Sequence, residues 1–168
     1  MQFQTISLFI RYLTQLQGIL DKLAREQRED IVDDALIDDM MPLSTQVKIT
    51  CNFALRGTCP LMGQEVLRFD ASEPGLVALK QQVSQTTEYL HQQLHLCQRE
   101  RIHLPDVITD DAGEGKVALP PQEFIGHYIL PNFFFHLSMV YAIARSQGVS
   151  LGKRDFDGFH RYSQSSAA

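Results

Sequence analysis

The chain has 168 residues, 44% hydrophobic and 21% charged, with ten Phe and no Trp, which is enough for one globular domain that needs no disulfide or metal to hold its core. Its formal net charge of -5 gives no general attraction for nucleic acid or an anionic membrane, and no apolar run reaches bilayer length. Three cysteines, Cys51, Cys59 and Cys97, with no C-x-x-C spacing cannot close a disulfide framework, so reduced thiols and a cytoplasmic location are expected.

Over residues 5–25, Ile6, Phe9, Leu13, Leu16, Leu20 and Leu23 recur every three or four positions and predict an amphipathic helix. The pattern is broken by Arg11, Gln15 and Gln17, unlike a signal peptide. Acidic residues then gather between Glu26 and Asp39. They lack the glycine and closing Glu of an EF-hand loop, so a solvated connection is expected there. Pro42 suits the first turn of a second helix, whose inner face carries Leu43, Val47, Thr50, Phe53 and Ala54 and which should stop near Gly57 or shortly beyond.

Residues 63–74 read as a connection, with Ser72 or Glu73 near the next helix start and Pro74 in its first turn. Leu76, Leu79, Val83, Thr87, Leu90, Leu94 and Cys97 then predict a third helix with a bundle-like seam. Between Arg99 and Pro120 the period changes. Ile102 and Leu104 alternate with polar neighbours, Asp110 to Gly115 supply turn residues and Val117 and Leu119 follow, so a short hairpin is expected. The last helix should run over residues 121–147 with Gly148 as its stop, and Pro131 should kink or split it near Ile129.

The expected architecture is all-α, a four-helix bundle with a short β-hairpin between helices three and four. One domain over residues 1–158 is followed by a tail at 159–168, frayed from Ser163 onward, while Lys153 to Phe156 is expected to dock.

Within the fourth helix, Leu130-Pro131-Asn132-Phe133-Phe134-Phe135-His136 places an amide and an imidazole four residues apart in an apolar run. At about 100° per residue, Asn132, His136, Met139 and Ile143 fall on one side and Leu130, Phe134, Leu137 and Tyr141 on the other. On helix two, Gln46 shares the inner face and is the candidate to meet Asn132 and His136, whereas Asn52 points away. Two interpretations stand: a satisfied polar cluster that fixes helix register, or a small-molecule or metal site within the bundle. One His, one Asn and one Gln make a poor metal set, so no metal and no cofactor is assigned. A helix apolar nearly all round must bury its second face, which points to a homodimer. Cys97 lies near His91, His95 and His103, which could suggest a thiol nucleophile or metal cluster, but it falls on the apolar seam while His91 and His95 edge outward, so an inert thiol is expected. No Gly-x-Ser-x-Gly elbow, Gly-rich phosphate loop or His-Glu-x-x-His motif is present. Basic residues are scattered, against nucleic-acid binding.

Several strings together resemble a known group: Asp39-Met40-Met41-Pro42-Leu43 with Gln46-Val47, the Pro131 to His136 run with Tyr141-Ala142-Ile143, Gly148-Val149, and Leu151-Gly152-Lys153-Arg154-Asp155-Phe156. They resemble an uncharacterised domain-of-unknown-function family within the DinB-like four-helix-bundle superfamily, over residues 5–158. The resemblance implies that bundle fold. Better-known relatives carry three metal-binding histidines, one on helix two and a His-x-x-x-His pair on helix four. Here the matching pair is Asn132 and His136, and helix two has no histidine. The residues themselves point to a small-molecule-binding or structural homodimer built around Gln46, Asn132 and His136; the alternative that the resemblance implies is a degenerate metal-dependent enzyme of thiol-transferase or hydrolase type.

Overall fold

The computed structural model describes residues 1–70 and 74–160. Helix α1 (Gln2–Arg25) buries the stripe Ile6, Phe9, Leu13, Leu16, Leu20 and Leu23, and begins three residues earlier than the apolar period suggests, with Thr5 N–H bonded to Met1 O at 3.0 Å. Helices α2 (Leu43–Thr58) and α3 (Leu76–Arg99) follow. The fourth position of the bundle is a composite: α4 (Pro121–Glu123), a π-helical segment (Phe124–Ile129) and α5 (Leu130–Ser146). α1 packs mainly on α3 and α2 mainly on α5, while the short α6 (Lys153–Asp157) lies against α1.

The acidic connection is not wholly solvated. A 3-10 turn over Glu29–Asp33 turns Asp33 outward and buries Ile31 and Val32, two apolar residues that the charge around them hides in sequence. α2 ends at Thr58, one residue past Gly57, as expected. Gly57 lies in the last turn of α2, where an added Cβ would lie 2.7 Å from Ile129 Cγ2 and 3.0 Å from the Phe9 ring, so it permits α1, α2 and the π segment to approach closely. A second 3-10 turn, Pro60–Met62, ends at Gly63, whose φ of +67° reverses the chain. Gly75 is the cap of α3, and the start signals at Ser72 and Glu73 lie outside the described residues.

The hairpin is shorter than expected. Ile102 and Leu104 are in no strand; β1 (Ile108–Asp111) pairs antiparallel with β2 (Lys116–Leu119), with Ile108 opposite Leu119. Ala112 N–H bonds Gly115 O at 2.8 Å, and Gly113 has φ +93° while Glu114 stays negative, the pattern of a type II′ turn. That turn makes Asp110 and Val117 a hydrogen-bonded pair and directs the Asp111 backbone to the outer edge of β1.

The split at Ile129 follows from Pro131, which lacks an N–H and crowds the preceding turn. A six-residue π segment absorbs the misfit. The fully buried face of α5 is Phe133, Leu137, Val140, Ile143 and Ala144. This corrects the helical-wheel assignment: Asn132 and His136 are half-buried at the edge of the inner face, and Phe135 is 52% exposed. Because α5 is apolar on most sides, its pattern alone does not mark the inward direction.

At the C-terminus, Asp155 Oδ2 accepts the Gly152 N–H at 2.7 Å and Lys22 bridges to Asp155 at 3.2 Å, while Phe156 packs on Tyr12 and Tyr141. The docking of Lys153 to Phe156 is thus carried by Asp155 and Phe156. Phe159 and His160 are also held: the Arg11 guanidinium lies 3.5 Å from the Phe159 ring centre, and Asp157 accepts backbone N–H bonds from both residues. The tail expected to fray from Ser163 lies outside the described residues.

Candidate functional site

Gln46 enters α2 in its first turn and is 2% exposed. Its side-chain Nε2 donates to Met41 O at 3.1 Å, which fixes which end of the amide faces α5. Oε1 is therefore the atom that meets His136, and Nδ1–H of the imidazole donates to it at 2.7 Å. With Nδ1 protonated, Nε2 of a neutral ring carries a lone pair, and it has no hydrogen-bond partner among the described residues. Burial pushes the imidazole below its usual value of 6.5, so the ring is neutral at pH 7. Phe53 stacks on it at 5.8 Å and 16°, and Phe135 meets it edge-on at 5.2 Å.

Two of the three candidates from the sequence are thus brought together. Asn132 is not part of that bond: its Nδ2 donates to Tyr128 O, one turn back, at 2.7 Å. This bond stitches the end of the π segment to α5, satisfying a carbonyl next to the break that Pro131 imposes.

The same seam continues into a network that sequence reasoning missed. Arg56, near the end of α2, stacks over Phe53 at 4.6 Å; its Nε donates to Asp110 Oδ2 at 2.7 Å, and its Nη2 to Asp111 O and Tyr128 Oη, both at 2.6 Å. One guanidinium ties α2, the hairpin and the π segment together. Desolvation raises the Tyr128 phenol above its ordinary value, and Asp110 adds to that while Arg56 opposes it. The available signal was Arg56 three residues after Phe53 on an otherwise apolar face, but its partners are 54 and 72 residues away.

Helix α3 carries a second unforeseen line, the buried Gln82, Thr86, Tyr89 and Gln93. Tyr89 Oη donates to Gln64 Oε1 at 2.6 Å and lies 3.4 Å from Cys59 Sγ. The three thiols are free. Cys51 is fully buried and pushed up to about 12 by desolvation; Cys97 is also raised by burial and rests 3.2 Å from Met62 Sδ. His91, His95 and His103 are exposed, in keeping with an inert thiol.

A family model described as a domain of unknown function, DUF1993, matches residues 1–157. The chain belongs to this family. A solved structure with the same fold is that of a DinB family member from Shewanella denitrificans, 26% identical, covering 96% of this chain and 94% of the other at a TM-score of 0.74. No curated protein matches the chain. DUF1993 is thereby placed with the DinB-like bundles, as the resemblance implied, and the hairpin between α3 and the composite fourth helix fits that architecture. No helix of the described residues is long and apolar enough to cross a membrane.

The three-histidine metal centre implied by the resemblance does not fit the donors of this DUF1993 chain. Gln46 Oε1 is engaged by His136 Nδ1–H, the Asn132 amide is engaged by the Tyr128 carbonyl, and one imidazole nitrogen is left. Among the described residues no group of three His, Cys, Asp or Glu is placed to hold an ion.

Proposed function

We propose that this DUF1993 protein is a cytoplasmic homodimer that binds a small organic molecule at the α2–α5 seam, with the Gln46–His136 pair as its recognition element and Asn132 as its flank. The observation that carries this reading is the 2.7 Å Gln46–His136 bond. It holds a neutral imidazole between two phenyl rings with one acceptor nitrogen unengaged, which suits a ligand that offers an O–H or N–H donor beside an apolar or aromatic body. Asn132 extends the polar edge by one helical turn.

The homodimer is supported by the apolar surface around this edge. Phe135 beside His136 is 52% exposed, Met41, whose carbonyl Gln46 holds, is 51% exposed, and Ile37 is 60% exposed. A second copy over this surface would enclose the seam. Free, mostly buried thiols suit a reducing compartment, and the -5 charge speaks against nucleic acid as the partner.

Two measurements test the proposal. The solution mass should be that of a dimer at micromolar concentration. Titration with phenol and with acetamide, as O–H and N–H donor probes, should move the His136 Nε2 resonance saturably in the parent protein, with no binding to the His136→Leu variant. A monomer whose imidazole resonances respond to neither probe contradicts the reading.

A further inference from the structure

α2, the extended segment after Gly63 and the hairpin enclose a cleft of about 430 Å³, the size of a small-molecule site, and His136 is not among its lining residues. Asn52, Arg56, Val66, Leu67 and Arg68 line it together with the β1 end and its turn. Several features of this lining have no role in holding the fold. Asn52 Oδ1 is buried yet accepts no hydrogen bond, a state that native structures seldom leave unanswered. Arg56 is clamped by Asp110, the Asp111 carbonyl and Tyr128 through Nε and Nη2, while Nη1 meets no acceptor among the described residues. Arg68 forms no ion pair or hydrogen bond among them either. Val66 and Leu67 are 40% and 43% exposed, an aliphatic wall beside these polar groups.

The charges narrow the chemistry further. Asp110 is matched by Arg56 at 2.6 Å, which leaves Arg68 and Asp111 as the unmatched charges of the lining. Asp111 is exposed at the rim, where its Oδ1 accepts the Gly113 N–H at 2.9 Å, and its negative charge disfavours a dianion. We propose that the cleft between α2 and the hairpin is a binding site for a small monocarboxylate with an N–H donor beside its acid group, of the N-acyl amino acid type. The carboxylate is taken by the free edge of Arg56 and by Arg68, the N–H by Asn52 Oδ1, and the aliphatic part by Val66 and Leu67. Arg56 supplies a pre-oriented guanidinium, because its other edge is already committed to the hairpin and Tyr128. The site is separate from the His136 edge and does not depend on the function proposed there.

The test is a titration of the full chain with N-acetylglycine, followed by amide and side-chain NMR. Saturable shifts at the Asn52 side chain, Gly113 and Arg68 are expected, with a Kd on the order of 1 mM. Arg68→Gln, an exposed substitution that leaves the fold alone, should weaken binding at least about tenfold. Asn52→Ala should weaken N-acetylglycine but not acetate, and His136→Leu should leave both unchanged. The neutral amide of N-acetylglycine should bind at least about tenfold more weakly. The proposal is overturned by an absence of saturation at concentrations about twentyfold above the expected Kd, by undiminished binding to Arg68→Gln, or by equal binding of the neutral amide.

Discussion

Replacing Gly57 with Ala tests how the seam is assembled. In a solvent-facing helix, Gly→Ala is stabilising by about 0.5–1 kcal/mol, since Ala loses less backbone freedom. At Gly57 the new methyl would sit 2.7 Å from Ile129 Cγ2 and 3.0 Å from the Phe9 ring, and both neighbours are fully buried. Ile129 is branched at Cβ and the Phe9 ring is wedged against Phe133 at 5.0 Å, so neither can swing aside. Overpacking of this kind costs about 1–3 kcal/mol, which outweighs the helix gain and leaves a net loss of about 1 kcal/mol. Gly18 is the internal control: it lies mid-α1, is exposed, and a Cβ there meets nothing within 4 Å, so Gly18→Ala should gain about 0.5–1 kcal/mol. The two variants should differ by about 2 kcal/mol in urea unfolding and by about 4–8 °C in Tm. Because Ile129 leads into α5, Gly57→Ala should also move the His136 resonances, and Gly18→Ala should not. Equal stabilisation by both substitutions would refute the close-approach account.

Three further outcomes are expected. Burial lowers the His136 pKa in the folded chain, so the unfolded chain binds the proton more readily; this contribution to stability is complete above about pH 6.5 and falls as the pH drops below it. The stability-versus-pH slope in that window should flatten in His136→Leu, as urea unfolding between pH 5 and pH 7.5 would show. Asp157 behaves in the opposite ionisation sense: desolvation raises its pKa, but the Phe159 and His160 N–H groups and the His160 ring outweigh that and hold it at about 2. Its contribution is present above about 3.8 and disappears as the pH falls through about 2, and Asp157→Asn should remove this acid dependence and release Phe159 from Arg11. Arg56→Ala should cost about 2 kcal/mol through lost charged hydrogen bonds. The same variant should speed amide exchange in the hairpin well before the rest of the bundle, and uniform exchange would argue against Arg56 as the tie.

Much of the fold was legible because burial of an apolar stripe writes itself into local sequence. The α1 stripe, the α3 seam and the break that Pro131 imposes at Ile129 all rest on residues within one or two turns of each other. Non-local causes were illegible. Gly57 marks the end of α2 as expected, but its close packing against Ile129 and Phe9 does not show in sequence, and Ile31 and Val32 look solvated among carboxylates until the core is there to receive them. The site divides in the same way. The Gln46–His136 pairing was accessible because both positions carry a polar group on an apolar helix, whereas the direction of the Asn132 amide depends on the π segment, which sequence periodicity does not encode. The Arg56 network joins three elements far apart in the chain, and nothing near Arg56 announces Tyr128 or Asp110.

The central claim is that His136 is a neutral imidazole held through Nδ1–H by Gln46 at the α2–α5 seam. A long-range proton–nitrogen correlation spectrum of His136 at pH 7 tests it most directly. The account predicts a neutral ring protonated on Nδ1, converting to a mixture of tautomers in Gln46→Leu. An imidazolium at pH 7, or a ring protonated on Nε2 in the parent chain, would contradict it.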